Sequence, residues 1–196
     1  MSGEQNKVTF GLDEAHVAFF TGTDEAPAWA APIKLPGAVS LGQAPAGSDN
    51  TLYADNMPYY VSFSNNGYTL TYTGVNIPNE IAGPMFGLVQ DDNGLIVEYS
   101  DALPQEFALL VQTRGDVSDI RIVYYRCKAA RPSTDYETVG ESVAPKTQAI
   151  SIAVTPVNIE VGGEKKPAVM GKLFSNEAVG DTFKDFFDAV LLPDVA

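Results

Sequence analysis

The sequence predicts a mostly β domain, and three observations carry that reading. Apolar and polar residues alternate with period two in runs such as "YYVSFS", "YTLTYT" and "TQAISIAVTP", the pattern of half-buried strands. Gly, Pro, Asn and Asp punctuate the runs, and these residues turn a chain. The wide apolar stripe of an amphipathic helix is clear only near the C-terminal end.

At 196 residues the chain fits one domain, 1–196, large enough to bury a core without disulfides. Its composition, 45% hydrophobic and 19% charged, is that of a globular chain. No apolar run approaches the roughly 18 residues that span a membrane. The opening "MSGEQNKVTF" lacks the basic and then apolar blocks of a signal peptide, so synthesis in a cytoplasm is expected.

"KVTFGL" and "AHVAFF" read as short strands. Pro27, Pro32 and Pro36 then interrupt regular structure. Residues 38–56 are rich in Gly, Ala and Asn and lack periodicity, which predicts a long extended loop, functional or mobile. "YYVSFS" and "YTLTYT" flank Asn66-Gly67, and Asn-Gly is the strongest short signal for a type I′ hairpin turn. That hairpin would have one aromatic and aliphatic face and one Ser/Thr face. Residues 77–88 predict a short helix with Pro78 in its first turn, Ile77, Ile81 and Leu88 on one side, and a break at Gly83-Pro84.

Asp92-Asn93-Gly94 is a turn, followed by a strand at "LIVEYS". "FALLVQT" and "IRIVYYRC" flank "RGDVSD" as a second hairpin, whose first strand is apolar on both faces and hence buried. "TQAISIAVTP" and "VNIEVGGEKKPAVMGKLF" supply further strands, the latter turning at Gly162-Gly163. "GDTFKDFFDAVLLP" is the clearest helix, capped by Asp181 or Thr182 and stopped by Pro193. Its stripe of Phe183, Phe186, Phe187, Val190 and Leu191 predicts a helix covering a sheet face.

Residues that carry chemistry are scarce. There is one cysteine and one histidine, and no phosphate-binding glycine motif, HExxH, CxxC or GxSxG. Cys127 lies in a strand-like run and reads as a buried, inert thiol; His16 reads as a strand residue. Asp91-Asp92 and Asp116/Asp119 read as solvated turn acids, and "DDNG" lacks the ligand spacing of a calcium loop. Arg114-Gly115-Asp116 reads as ordinary turn chemistry. No catalytic, cofactor-binding or metal-ligating residue is assigned, no cofactor is expected, and the chain is not expected to be an enzyme.

The net charge of −13 is unevenly spread. Residues 1–113 hold 13 acids against only Lys7 and Lys34, while residues 114–196 hold 12 acids and 10 bases. Arg114, Arg121, Arg126, Lys128 and Arg131 crowd one stretch. Such a field disfavours gripping nucleic acid, because phosphates are repelled.

Taken in order, "KVTFGL", "PIKLPGAVSL", "LYADNMPYYVSFSNNGYTLTYTGVNIPNEI", "DDNGLIVEYSDALPQEFALLVQTRGD" and "RIVYYRCKAARPSTDYETVGESVAPKTQAISIA" resemble the major tail proteins of siphovirus-type long-tailed bacteriophages. The resemblance runs from about residue 7 to 155, and more loosely to "TFKDFFDAVLLP". It is most specific from "YADN" to "NNGY" and at "YRCKAARPS", and it departs from the family at Gly83-Pro84, where a charged helical run is commoner. It implies a β-sandwich or roll with a C-terminal flanking helix and a second short helix near residues 77–88. It also implies subunits that assemble into hexameric rings stacked as a hollow tube with an acidic lumen. The partners so implied are further copies of the chain and the tape measure, tail terminator and distal tail proteins. Double-stranded DNA would pass through without tight binding; no membrane is implied, and the location would be the virion. The alternatives are the tube protein of a contractile or secretion-like apparatus, a monomeric β-sandwich binding module and, more remotely, an acid hydrolase.

Overall fold

The computed structural model describes residues 6–134, 138, 146–176 and 179–193. Its strands are β1 (Thr9–Phe19), β2 (Ile33–Lys34), β3 (Ala38–Pro45), β4 (Asp49–Ala54), β5 (Met57–Phe63) and β6 (Tyr68–Gly74). After α1 (Asn79–Phe86) come β7 (Leu88–Gln90), β8 (Ile96–Glu98), β9 (Phe107–Gly115), β10 (Ile120–Ala129) and β11 (Gln148–Val154). β12 (Val157–Val161), β13 (Glu164–Ala168), β14 (Met170–Phe174) and α2 (Gly180–Lys184) complete the chain, with a 3-10 turn at Asp185–Phe187. The protein is mostly β, and its strand pairings are antiparallel.

The main sheet runs β2-β1-β9-β10-β11-β6-β3, with β14 also on β10. β10 is the fork. Ile120–Tyr124 pair with β14, and Cys127–Ala129 pair with β11 along the same edge. A bulge between Tyr124 and Cys127 separates the two stretches; the extra residue resets which face each side chain meets. Tyr124, Cys127 and Ala129 consequently share one core, and Tyr125 enters the other.

The first core lies inside the rolled sheet. Val17, Phe107, Leu109, Tyr72, Ile150 and Ile152 meet there, and α1 adds Ile81, Met85 and Phe86. The second core lies on the opposite face, where Ala18, Leu110 and Val123 are covered by Val157 and Ile159 of β12 and by Phe186. β9 supplies both cores from alternate positions, so the strand predicted to be buried on both faces is so. The β9–β10 hairpin and the β12–β13 turn also form as expected; Gly162 and Gly163 take φ of 61° and 79°, as a type I′ turn requires.

Five local expectations are corrected. The two predicted N-terminal strands are one, β1, kept continuous by bulges between Phe10 and Glu14. Residues 38–56 are no loop; they form β3 and β4. Asn66-Gly67 does not close a hairpin between β5 and β6, because β5 pairs with β4 while β6 lies between β3 and β11. Gly67 has φ 108°, and a Cβ there would stand 1.9 Å from the Val154 carbonyl oxygen, so it serves a close backbone approach.

The last two corrections concern helices. α1 continues through Gly83-Pro84 and ends at Gly87, which is left-handed with φ 73°. Pro84 removes one intrahelical donor only three residues before that stop. Pro78 stands just outside the helix, and its carbonyl accepts the Ile81 and Ala82 N–H groups. The C-terminal helix is shorter than its stripe and has neither Asp181 nor Thr182 as a side-chain cap. The Arg121 guanidinium reaches the carbonyls of Phe183 and Lys184 and lies over the Phe183 and Phe187 rings, 4.1 and 4.5 Å from their centroids. Tyr125 Oη donates to the Leu191 carbonyl at 3.1 Å. These anchors seat Phe186 in the second core, so this segment covers a sheet face as predicted.

Two outcomes are expected. Gly67→Ala combines an unfavourable φ with a clash against backbone and should destabilise by about 2 kcal/mol or more, read from urea melts. His16 stacks on Phe187 at 4.2 Å, and burial lowers its pKa below the ordinary 6.5, with Glu14 opposing and Lys34 and Arg121 adding to the shift. As pH falls through about 6.5 the unfolded chain therefore takes up the proton first, and stability held above that pH is lost. The fall in Tm between about pH 7.5 and pH 5 should shrink in His16→Phe.

Candidate functional site

β3 and β6 pair from Ala38 opposite Gly74 to Pro45 opposite Tyr68, and the two chains do not part there. The Ala46 N–H donates to the Gly67 carbonyl at 2.9 Å, the Asn66 N–H to the Ala46 carbonyl at 2.9 Å, and the Ser64 N–H to the Ser48 carbonyl at 3.0 Å. β4 and β5 then pair from Asp49 opposite Phe63 to Ala54 opposite Met57. Residues 38–74 thus form one long two-stranded ribbon. Its base is part of the sheet, and its outer half stands free. The turn at the tip is Asp55-Asn56, with φ of 51° and 62°, values that Asp and Asn tolerate better than other side chains.

The outer half is apolar without a core. Leu52, Tyr53, Met57, Tyr59, Tyr60, Val61 and Phe63 are between 46% and 82% exposed, and they lie on both faces of the ribbon. An isolated two-stranded hairpin is marginal in water, and large exposed apolar patches on soluble proteins mark interaction sites. The charged side chains of β4, the tip and β5 are Asp49 and Asp55 alone. What this half presents is apolar area and phenol hydroxyls.

A second exposed face is of a different kind. In register across β11, β6 and β3 stand Ala149–Thr73–Ser40, Ser151–Thr71–Gly42 and Ala153–Thr69–Ala44. These positions carry no charge and no bulky apolar group. The predicted Ser/Thr face of "YTLTYT" is therefore the middle row of a wider neutral face.

The remaining singled-out residues are engaged within the fold. Arg114 makes a bidentate pair with Asp13 at 3.0 and 3.1 Å, and Asp116 accepts the Lys7 N–H at 2.9 Å, so the Arg-Gly-Asp tripeptide is tied down at both ends. Asp91 accepts the N–H groups of Leu95 and Asn93 at 2.8 and 2.9 Å, which lowers its pKa and holds the exposed turn together. Cys127 is buried, and burial pushes its thiol pKa far up. Among the described residues no three His, Cys, Asp or Glu side chains are grouped to hold a metal, and no helix is long and apolar enough to cross a membrane.

The basic stretch folds back on this chain's own acids. Arg126 contacts Glu106 and Asp24, each at 2.7 Å, Arg131 contacts Glu98, and Lys34 contacts Glu14 at 2.8 Å. The division of charge along the sequence is partly undone in space. Exposed pairs of this kind add little stability, about 0–1 kcal/mol each.

Sequence reasoning missed the free ribbon because its true turn, Asp-Asn, is a weaker signal than the Asn-Gly eleven residues later. Pro58 beside that turn was the available clue, since proline within strands keeps to edges. Because the ribbon packs on nothing, Tyr59→Ser with Phe63→Ser should change the unfolding free energy of the dilute chain by no more than about 0.5 kcal/mol, measured by urea denaturation.

No protein-family model and no curated protein matches this chain.

Proposed function

We propose that this chain is a self-assembling structural subunit, the tail tube protein of a siphovirus-type phage, forming stacked hexameric rings through which DNA passes. The observation that carries the reading is the free apolar ribbon from β4 to β5. A chain that keeps two strands of Tyr, Phe, Leu, Met and Val in water has built them for a protein surface, and a homo-oligomer supplies that surface from the chain itself. The family resemblance in the sequence supplies the ring, the tube and the cargo, together with the tape measure, terminator and distal tail proteins as neighbours.

The neutral face across β11, β6 and β3 supports the conduit role. A wall beside DNA must avoid both phosphate-binding cations and broad apolar surface; this face has neither at its nine positions, and Lys128, opposite Ala153 on β10, is an exposed cation at its border. Acids around it would repel phosphates, while each exposed Lys or Arg would add a counterion-releasing contact. The pairing of Arg114, Arg126 and Arg131 with this chain's own carboxylates keeps such contacts few.

Negative-stain microscopy and sedimentation of the purified chain test the proposal. Rings or tubes are expected on concentration, with no measurable affinity of the tubes for duplex DNA at about 50 mM salt. Tyr59→Ser with Phe63→Ser should leave a folded monomer that does not assemble. A wild-type chain that stays monomeric at all concentrations, or tubes that bind DNA tightly, would overturn it in favour of a monomeric binding module or a different cargo.

A further inference from the structure

Resting on the self-assembly reading, we infer that the ribbon of one copy docks an aromatic side chain into the groove between β1 and β3 of the next, so that copies join head to tail. The main sheet rolls until β1 approaches β3, yet these strands share no ladder. Between them lies an open groove of about 340 Å³ lined by Phe10, Leu12, Val39, Leu41, Ile122 and Tyr124, with Gly11 on its wall. A cavity of about 150 Å³ already holds a benzene ring, so the groove has room for Phe63 or Tyr59. Phe10 and Val39 are 56% and 55% exposed, which leaves the rim as apolar as the ribbon.

The geometry excludes self-docking. The groove and the free ribbon lie along the same strand pair, β3 with β6, at different ends. Phe63 stands opposite Asp49, six positions beyond Gln43 at the groove's near end, or roughly 20 Å at about 3.3 Å per residue. Hydrogen bonds from Pro45 to Ser48 hold the ribbon pointing away. Donor and acceptor are thus different patches of one molecule, the condition for a heterologous contact that propagates.

Charge selects this groove over the other exposed apolar surface. Leu95, Tyr99 and Leu103 beside β8 are also exposed, but Asp91, Asp92 and Asp101 are their near neighbours in the chain, and like charge would oppose Asp49 and Asp55 of an incoming ribbon. The groove lining is uncharged, and the charges near it are balanced, Lys7 standing beside Asp116 and Arg114 beside Asp13.

Gly11 offers a clean test. A Cβ built there has no atom within 4 Å and its φ is not positive, so Gly11→Trp adds bulk at the groove wall without a backbone clash; Val39→Glu, at an exposed position, charges the rim. Both variants should melt like wild type and raise the concentration needed for assembly by about tenfold or more, as losing an anchor residue does. Mixing Gly11→Trp, which keeps its ribbon, with Phe63→Ser plus Tyr59→Ser, which keeps its groove, should give a 1:1 dimer that grows no further, seen by analytical ultracentrifugation. If Gly11→Trp and Val39→Glu assemble at the wild-type concentration, the ribbon docks elsewhere; the docking inference fails and the tube reading stands. If wild type itself never assembles, the tube reading fails and takes this inference with it.

Discussion

Everything in this molecule is arranged around a strand that cannot tolerate water on either side. Phe107 to Gln112 of β9 are all buried, so two apolar layers must be built, one against each face. The roll supplies the first by curling β11, β6 and β3 over α1. The second comes from the β12–β13 hairpin and the C-terminal segment, pinned by Arg121 and Tyr125. Removing roughly 25 cal/mol per Å² of apolar area from water on both faces is what makes β9 and β10 the fixed centre to which the other elements attach.

That centre was legible in the sequence, and the reason is physical. A strand buried on both faces reads as a continuous apolar run, and the residues that close the β12–β13 hairpin, Gly162-Gly163, take the positive φ of a type I′ turn without steric cost. Sequence signals failed where burial did not dictate the pattern. β3 and β4 have no core face over much of their length and carry little alternation, while the alternation of "YYVSFS" in β5 accompanies a strand exposed on both faces. The Asn-Gly dipeptide is a strong local preference, but β6 is bound on both sides, to β3 and to β11, over seven positions. Those ladders outweighed one turn, and Gly67 was needed for the approach of the Val154 carbonyl. The C-terminal stripe identified a covering segment correctly; its helix length was set by where Arg121 could reach the carbonyls of Phe183 and Lys184, which no local pattern encodes.

The candidate site was half legible. The segment from Thr51 to Thr73 stood out for its aromatics and its lack of basic residues, and both features matter in the fold. Which half faces water was not readable. Tyr68 and Tyr72 turn into the first core, whereas Tyr53, Tyr59 and Tyr60 do not. The distinction depends on partner strands distant in sequence. The charge division is a similar case, since Asp13 meets Arg114 and Asp24 meets Arg126 only after the chain has folded across itself.

The free ribbon also bears on how an assembly of such chains would begin. A lone copy must hold β4 and β5 in order against water with hydrogen bonds alone, and two strands are too few for that to be firm. A copy arriving at an existing neighbour orders the same strands against an apolar wall, so ordering and attachment occur together. In such an assembly starting would be slow and extending fast. The population divides into free chains and long products with little between them, and whatever first supplies that wall decides where and when growth starts.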